Sequence, residues 1–302
     1  MLPFQGSDPG SNPGWGIQII YNLFVLYTFM DVIKYSGGIE PFNPQKVRYT
    51  VIEAGGSKKL AGEAVEEVKK NYHENMKTDE ILNLLLKFLK KEPGVSERYD
   101  LKRAIMSLGP SGFPFETFFA NVLNHYEYKT KVGEKLIGDN IVYEIDIIAQ
   151  KIHGKKFMVE CKYHNKLGIM TKIRHAEKAY RTFLKLQEYK FYQPWLSTNT
   201  KCSQDTIKYA GKVNLRITSW AYPKNESLRI LIENQKLYPI TILKSLPSKI
   251  KEKLYNSKIL IAKDLLGYDS KELIKKTGLT KEEFAETIQK VKEVMGDGSK
   301  RL

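Results

Sequence analysis

The sequence predicts an α/β protein in three parts: a mostly helical amino-terminal unit, a central α/β layer and a small helical carboxy-terminal region. Three observations carry this expectation. Ile81, Leu84, Leu85, Phe88 and Leu89 recur at the three- and four-residue steps of an amphipathic helix. Residues 141–149 and 156–162 have the β-branched and apolar enrichment of strands. From residue 115 to residue 220 helix-like and strand-like segments alternate, the pattern of an α/β layer. A chain of 302 residues also exceeds one typical core and suits two or three compact units.

Taken in order, the elements begin with a short extended piece, Val32-Ile33-Lys34, and a glycine turn at Gly37-Gly38. Thr78 and Asp79 then offer an N-cap to the helix through Leu89, and Pro93-Gly94 ends it. The Pro and Gly cluster at 109–114 marks a boundary. A helix follows over 115–125, then two strands, 141–149 and 156–162, joined around His153-Gly154. A long helix over 173–188 puts Ala176, Ala179, Tyr180, Phe183 and Leu184 on one face, and 193–198 and 215–220 read as further short strands. Beyond Tyr222-Pro223 short helices run to the end, separated by Pro239, Pro247 and Gly267. The last of them, 262–266, 270–277 and 281–294, have a helix-turn-helix rhythm that presents backbone amides to phosphate. The expected division is a leader at 1–29, a first domain at 30–110, a second at 111–225 and a helical region at 226–302.

Forty-nine Lys and Arg against 34 Asp and Glu give a formal charge of +15, which favours a polyanionic partner, nucleic acid first. Cys161 and Cys202 are the only cysteines, too few for a disulfide framework or a thiolate zinc cage, and fit a reducing cytoplasm. The apolar run at 17–30 is shorter than the roughly 20 residues a spanning helix needs, and no Lys or Arg precedes Lys34, so neither membrane anchor nor signal peptide is expected. The turn-rich SDPGSNPGWG before it makes Met30 the expected natural start.

The chemistry concentrates on the hairpin. With its turn centred on His153, residues whose numbers sum to 306 face each other, so Asp146 opposes Glu160 and Glu144 opposes Lys162. Opposed carboxylates repel unless something positive lies between them, and a divalent cation, Mg²⁺ or Mn²⁺, suits hard oxygen donors of this kind. Lys162, two residues past Glu160, shares its face and stands where it can orient or help deprotonate an attacking water. Cys161 points to the other face as a small apolar residue. Either residue type alone is more often part of a solvated surface or an ion pair; the combination with Glu116 on the preceding helix is rarer.

Phe115-Glu116, Glu144-Ile145-Asp146 and Val159-Glu160-Cys161-Lys162-Tyr163-His164 together resemble the Mrr-like branch of the PD-(D/E)XK restriction endonucleases, and the similarity runs from Phe113 to Pro223. The resemblance implies an α/β/α core with a mixed sheet, Asp146 and Glu160 as metal ligands completed by Glu116, and Lys162 as the catalytic lysine. Glu160 departs from the Gln frequent at its position in the Mrr type and keeps the metal-binding charge. His164 is better read as a hydrogen-bonded structural residue than as a catalytic one, and Arg174 and His175 are possible phosphate contacts.

Residues 32–47 (VIKYSGGIEPFNPQKV) and 99–105 (YDLKRAI) resemble the ATP-cone, a nucleotide-sensing regulatory domain. On the matching positions Lys34 and Lys46 are implied to contact the phosphates of ATP or dATP, with Glu40 near the nucleotide; Tyr35 stands where the family often has a basic residue. Residues 240–296 faintly resemble helix-hairpin-helix modules, with Lys249, Lys251, Lys253, Lys271, Lys275 and Lys276 available to DNA phosphates. The resulting expectation is a metal-dependent endonuclease acting on double-stranded DNA, possible as a homodimer and regulated by ATP or dATP. The competing expectation is a nucleotide-responsive DNA-binding regulator that does not cut.

Overall fold

A computed structural model describes residues 30–35, 37–108, 115–152 and 154–296. The expectations for the leader at 1–29, the apolar run at 17–29, the cluster at 109–114 and His153 itself lie outside these residues. The chain divides into two compact units after Leu89.

In the first unit β1 (Asp31–Ile33) and β2 (Ile39–Pro41) form an antiparallel hairpin, followed by α1 (Pro44–Glu53), α2 (Lys58–Lys70) and α3 (Thr78–Phe88). Each helix starts where the sequence supplies a stop for its free amides. Asn43 caps α1 by accepting the Lys46 N–H at 3.0 Å, with Pro44 at the first helical position, and Ser57 caps α2. For α3 the expected caps Thr78 and Asp79 instead lie inside the first turn. Lys77 occupies the cap position, and the Glu80 carboxylate reaches back to its N–H at 3.1 Å. Val51, Leu60, Ala64, Val65, Val68, Leu85 and Leu89 are buried, the apolar stripes that the spacing anticipates.

The second unit begins with α4 (Val95–Tyr99) and α5 (Leu101–Met106), then α6 (Phe115–His125) and a five-stranded mixed sheet. Its strands are β3 (Tyr128–Gly138), β4 (Ile141–Lys151), β5 (Lys156–Lys162), β7 (Gln193–Thr198) and β9 (Arg216–Thr218), in the order β3-β4-β5-β7-β9. The first three are antiparallel, and β5, β7 and β9 run parallel, linked through α7 (Ile173–Lys185) and α8 (Gln204–Lys212). A small parallel pair, β6 (Met170–Thr171) and β8 (Lys201–Cys202), closes one end. Helix α6 packs on one face, burying Phe118, Phe119 and Leu123 against Ile147, Ala149, Val159 and Trp195. On the other face Ala176 and Ala179 of α7 meet Leu196 and Ile217. This is the α/β/α layering and mixed sheet the sequence leads one to expect.

Strand β3 is the element the expectation lacks. Tyr128, Thr130 and Val132 alternate with Lys129 and Lys131, a period-two signal, and Asp139 and Asn140 both adopt positive φ in the turn to β4. The signal is weak because the strand lies at the sheet edge with neither face fully covered, where charged residues replace apolar ones.

The carboxy-terminal region is helical: α9 (Leu228–Gln235), α10 (Ser248–Asn256), α11 (Ser270–Thr277) and α12 (Lys281–Met295), with 3₁₀ turns at Ile240–Ile242 and Ala262–Gly267. Asp269 caps α11, and Thr280 with Glu283 makes a capping box for α12. Leu228, Ile240, Leu254, Leu265 and Val291 join the same core as α5 and α6. No helix among the described residues is long and apolar enough to cross a membrane.

Candidate active site

The β4-β5 register places the expected residues. The paired residues Ile147↔Val159, Ile148↔Met158, Ala149↔Phe157 and Gln150↔Lys156 each sum to 306, as anticipated. The ladder ends there. One step further Asp146 is turned to the main chain of β5, its Oδ2 accepting the Cys161 N–H at 2.6 Å. Glu144 pairs in register with Lys135 of β3. Glu160 lies beside Leu196 in the parallel ladder to β7, on the face covered by α7, and there Lys178 Nζ reaches its Oε1 at 2.5 Å.

Three carboxyl groups feel one another at these strand ends. Burial raises the pKa of Glu116, in the first turn of α6, and the charges of Asp146 and Glu144 raise it further. Burial likewise raises Asp146, against the Cys161 N–H and Lys178, which stabilise its anion. Glu160 is raised by burial and by Asp146, with Lys178 and Lys162 acting the other way. Burial, with the charges of Asp146, Glu116 and Glu160 adding to it, pushes the Cys161 thiol well above its ordinary value and disfavours the thiolate.

Oxygen donors of this type suit a hard divalent cation. In the arrangement described, however, the shell expected from Glu116, Asp146 and Glu160 is not assembled. Asp146 is engaged by an amide and Glu160 by an ammonium, and no group of three His, Cys, Asp or Glu among the described residues is placed to hold a metal ion. Lys178 supplies the positive charge instead. It escaped the sequence reading although it lies one helical turn after Arg174, on the same side of α7. We expect Lys178→Met to tighten Mn²⁺ binding by about threefold to tenfold, read by the loss of free Mn²⁺ signal in electron paramagnetic resonance, because the cation no longer competes with an ammonium for Glu160. Unchanged or weaker binding would count against Asp146 and Glu160 as ligands.

A positive rim adjoins the acids. Burial lowers the pKa of His164 and brings His175 to about 4, with the charges of Lys162 and Arg174 contributing to both. His164 is held structurally, as weighed from the sequence. Its N–H donates to Asn199 Oδ1 at 2.9 Å, Asn199 Nδ2 donates to its carbonyl at 2.8 Å, and its Nε2 meets Thr171 Oγ1 at 3.1 Å. Arg174 Nε lies 3.4 Å from His175 Nε2 at the start of α7.

Lys102, on α5, is the second residue the sequence reading missed. Its ammonium donates to the Asn199 carbonyl and lies 4.4 Å from the centre of the Trp220 ring. Burial and the nearby Lys201 bring its pKa down to about 7. The native state therefore binds fewer protons than the unfolded chain between about pH 7 and 10.5, so this group's contribution makes stability rise with pH across that window, and below it the full cost of the buried charge is present. Every tenfold loss of proton affinity on folding corresponds to about 1.4 kcal/mol. Allowing for the lost hydrogen bond and ring contact, Lys102→Met should stabilise the fold by on the order of 2 kcal/mol at pH 6. By urea denaturation the gain should shrink at pH 9.5; an equal gain at both pH values would contradict the buried-charge account.

In the first unit, Lys34 at the end of β1 pairs with Glu40 of β2 across the hairpin, so two of the three expected nucleotide contacts meet each other. Lys46 lies in the first turn of α1, where its N–H is spent on the Asn43 cap. In the carboxy-terminal region two of the six lysines expected at DNA are engaged internally. Lys253 pairs with Glu283 at 2.6 Å, and Lys276 donates to the Tyr268 hydroxyl at 2.7 Å. Lys249, Lys271 and Lys275 are exposed, and Lys251 is half-buried.

Comparison with known proteins agrees with the amino-terminal reading. The profile of the ATP cone domain matches residues 30–104, and that of the AF1548-like, C-terminal family matches residues 238–295. An uncharacterized protein of Archaeoglobus fulgidus is 33% identical over 177 residues, which make up 59% of this chain and 99% of that protein. The crystal structure of a protein of unknown function, AF1548, aligns with a TM-score of 0.54 at 32% identity, covering 60% of this chain and 96% of that one. The chain therefore carries an ATP cone at its amino terminus, and the elements from Ile240 to Met295 match the AF1548-like, C-terminal family.

Proposed function

The chain belongs to the AF1548-like family, and we propose that it is a DNA endonuclease of the PD-(D/E)XK type whose activity responds to ATP or dATP bound at the cone. One observation carries the proposal. Glu116, Asp146 and Glu160 come from a helix and two strands, and each carboxyl is held above its ordinary pKa by burial and by a neighbouring acid, with Lys162 and Lys178 beside them. Such mutual destabilisation is costly to the fold and is characteristic of a site built for chemistry.

The roles follow from position. A divalent cation held by Asp146, Glu160 and Glu116 would supply Lewis acidity at the scissile phosphate. Lys162 stands two residues beyond Glu160 on the same strand, where its ammonium can orient the attacking water and offset charge accumulating on the phosphate. Lys178 neutralises Glu160 and would have to yield that carboxylate to a bound cation. Arg174, at the start of α7, adds to the positive rim that draws in a polyanion, in keeping with the formal charge of +15. Lys34, Glu40 and Lys46 are proposed as the nucleotide contacts of the cone.

The test is cleavage of plasmid, methylated and branched DNAs with Mg²⁺ or Mn²⁺, with and without ATP and dATP, by the wild type and by Asp146→Ala. Metal-dependent cutting that disappears in the variant is the expected result. Absence of cutting on every substrate, with metal-independent DNA binding retained in both proteins, would favour the nucleotide-responsive regulator that holds DNA without cutting it.

A further inference from the structure

Away from the acids, a cleft of about 480 Å³ opens between the end of α5, the 3₁₀ turn Ile240–Ile242 and α10. We propose that this cleft is a phosphate site that takes one phosphoryl group of a nucleoside monophosphate or of a nucleic-acid backbone, with Lys251, Lys244 and the first turn of α10 as its donors.

Lys244 and Lys251 enter from different elements. Lys244 follows the 3₁₀ turn and is tied down by Asp100, which is itself buried. Lys251 projects from α10 three residues after Ser248, so both line the same side of that helix. Burial weakens the charged form of both ammonium groups, and the charge of Lys251 adds to the effect on Lys244. An anion between them relieves both penalties.

The helix contributes as well. Pro247 stands at the cap position of α10 and offers no side-chain acceptor, so the amide of Ser248, which lines the cleft, remains for a ligand at the positive end of the helix. Ser248 adds a hydroxyl donor. Two other hydroxyls of the cleft are already committed: Ser107 donates to the Arg103 carbonyl at 2.8 Å and Thr241 to the Ala104 carbonyl at 2.7 Å. They face the cleft as acceptors. Glu252 also lines it, which disfavours a polyphosphate and suits a single phosphate whose sugar hydroxyls can donate.

The proposal does not depend on the nuclease reading, since the cleft uses none of the acids or lysines of that site. The experiment measures binding of inorganic phosphate, AMP and a short 5′-fluorescein-labelled DNA strand to the full-length protein by calorimetry and fluorescence anisotropy. Lys251→Ala and Lys251→Gln are compared with Lys224→Ala, which removes the same charge from an exposed position outside the cleft. We expect both Lys251 variants to weaken AMP or DNA binding about tenfold and Lys224→Ala to change it less than twofold. A loss seen with AMP alone identifies a free nucleotide as the source of the phosphate, and a loss with DNA alone identifies the backbone. Equal effects of the variants at 224 and 251, or binding of no probe, overturn the proposal. The glutamine variant keeps most of the side-chain stem, so a loss shared by both Lys251 variants at unchanged melting temperature cannot come from misfolding.

Discussion

Under the proposed nuclease mechanism, Lys162→Ala is expected to slow phosphodiester cleavage by about 100- to 10,000-fold, the range over which a positioned proton-transfer or charge-stabilising group acts. Lys162 closes β5, in register with Thr198 of β7, where the strand leaves the sheet toward His164. Its side chain carries no part of the apolar core, so the melting temperature should hardly move. A second readout does not depend on activity. The Lys162 charge is among the causes that hold His164 and His175 below their ordinary pKa, behind burial in both cases. Removing it should raise the His175 titration from about 4, as followed by NMR of the imidazole resonances. A variant that cuts DNA at the wild-type rate would remove Lys162 from the mechanism. Slow cutting without any movement of His175 would place the lysine elsewhere than beside these imidazoles.

Gly94→Ala should cost about 4 kcal/mol or more of stability, measured by urea denaturation, and is the largest structural effect we anticipate from a single methyl group. Gly94 has φ of +74°, a conformation that costs an L-residue roughly 1 kcal/mol. A Cβ there would also lie 2.0 Å from the Glu293 carbonyl oxygen and 2.6 Å from Arg98 Nη1. Neither neighbour can retreat at little cost. The carbonyl belongs to the last turn of α12, and Arg98 is fixed by donating to the Glu293 and Val294 carbonyls at 3.3 and 2.8 Å. The close approach of α4 to the end of α12 therefore requires glycine, and an unchanged denaturation midpoint would show that this contact is absent in solution.

Much of this architecture is readable from local pattern. The 306 register follows from the spacing of two strands about one turn, and β4 and β5 pair accordingly. The stripe of Ala176 and Ala179 identifies the buried side of α7, and Asp269 and Thr280 begin the last helices as caps. These features depend on residues within a few positions of one another, where period and capping chemistry act directly. Pro93-Gly94 lies between these extremes: the pair is legible as a break in the chain, but not as the floor of a contact with Glu293.

The sequence by itself determined the α/β class, the helical ends and the β4-β5 register, which puts Asp146 and Glu160 on adjacent strands. Only the tertiary structure decided how those groups are satisfied. The Lys178–Glu160 pair ties β5 to α7, and the Lys102–Asn199 bond and the cleft lined by Ser107 and Lys251 join elements well separated along the chain. Strand β3 went unread for a related reason: as an edge strand it draws its order from β4 on one side and carries its charges into solvent on the other. Periodicity records which side of an element is buried, whereas the partner of a buried charge depends on which elements the core brings together, and that is set by packing over the whole unit.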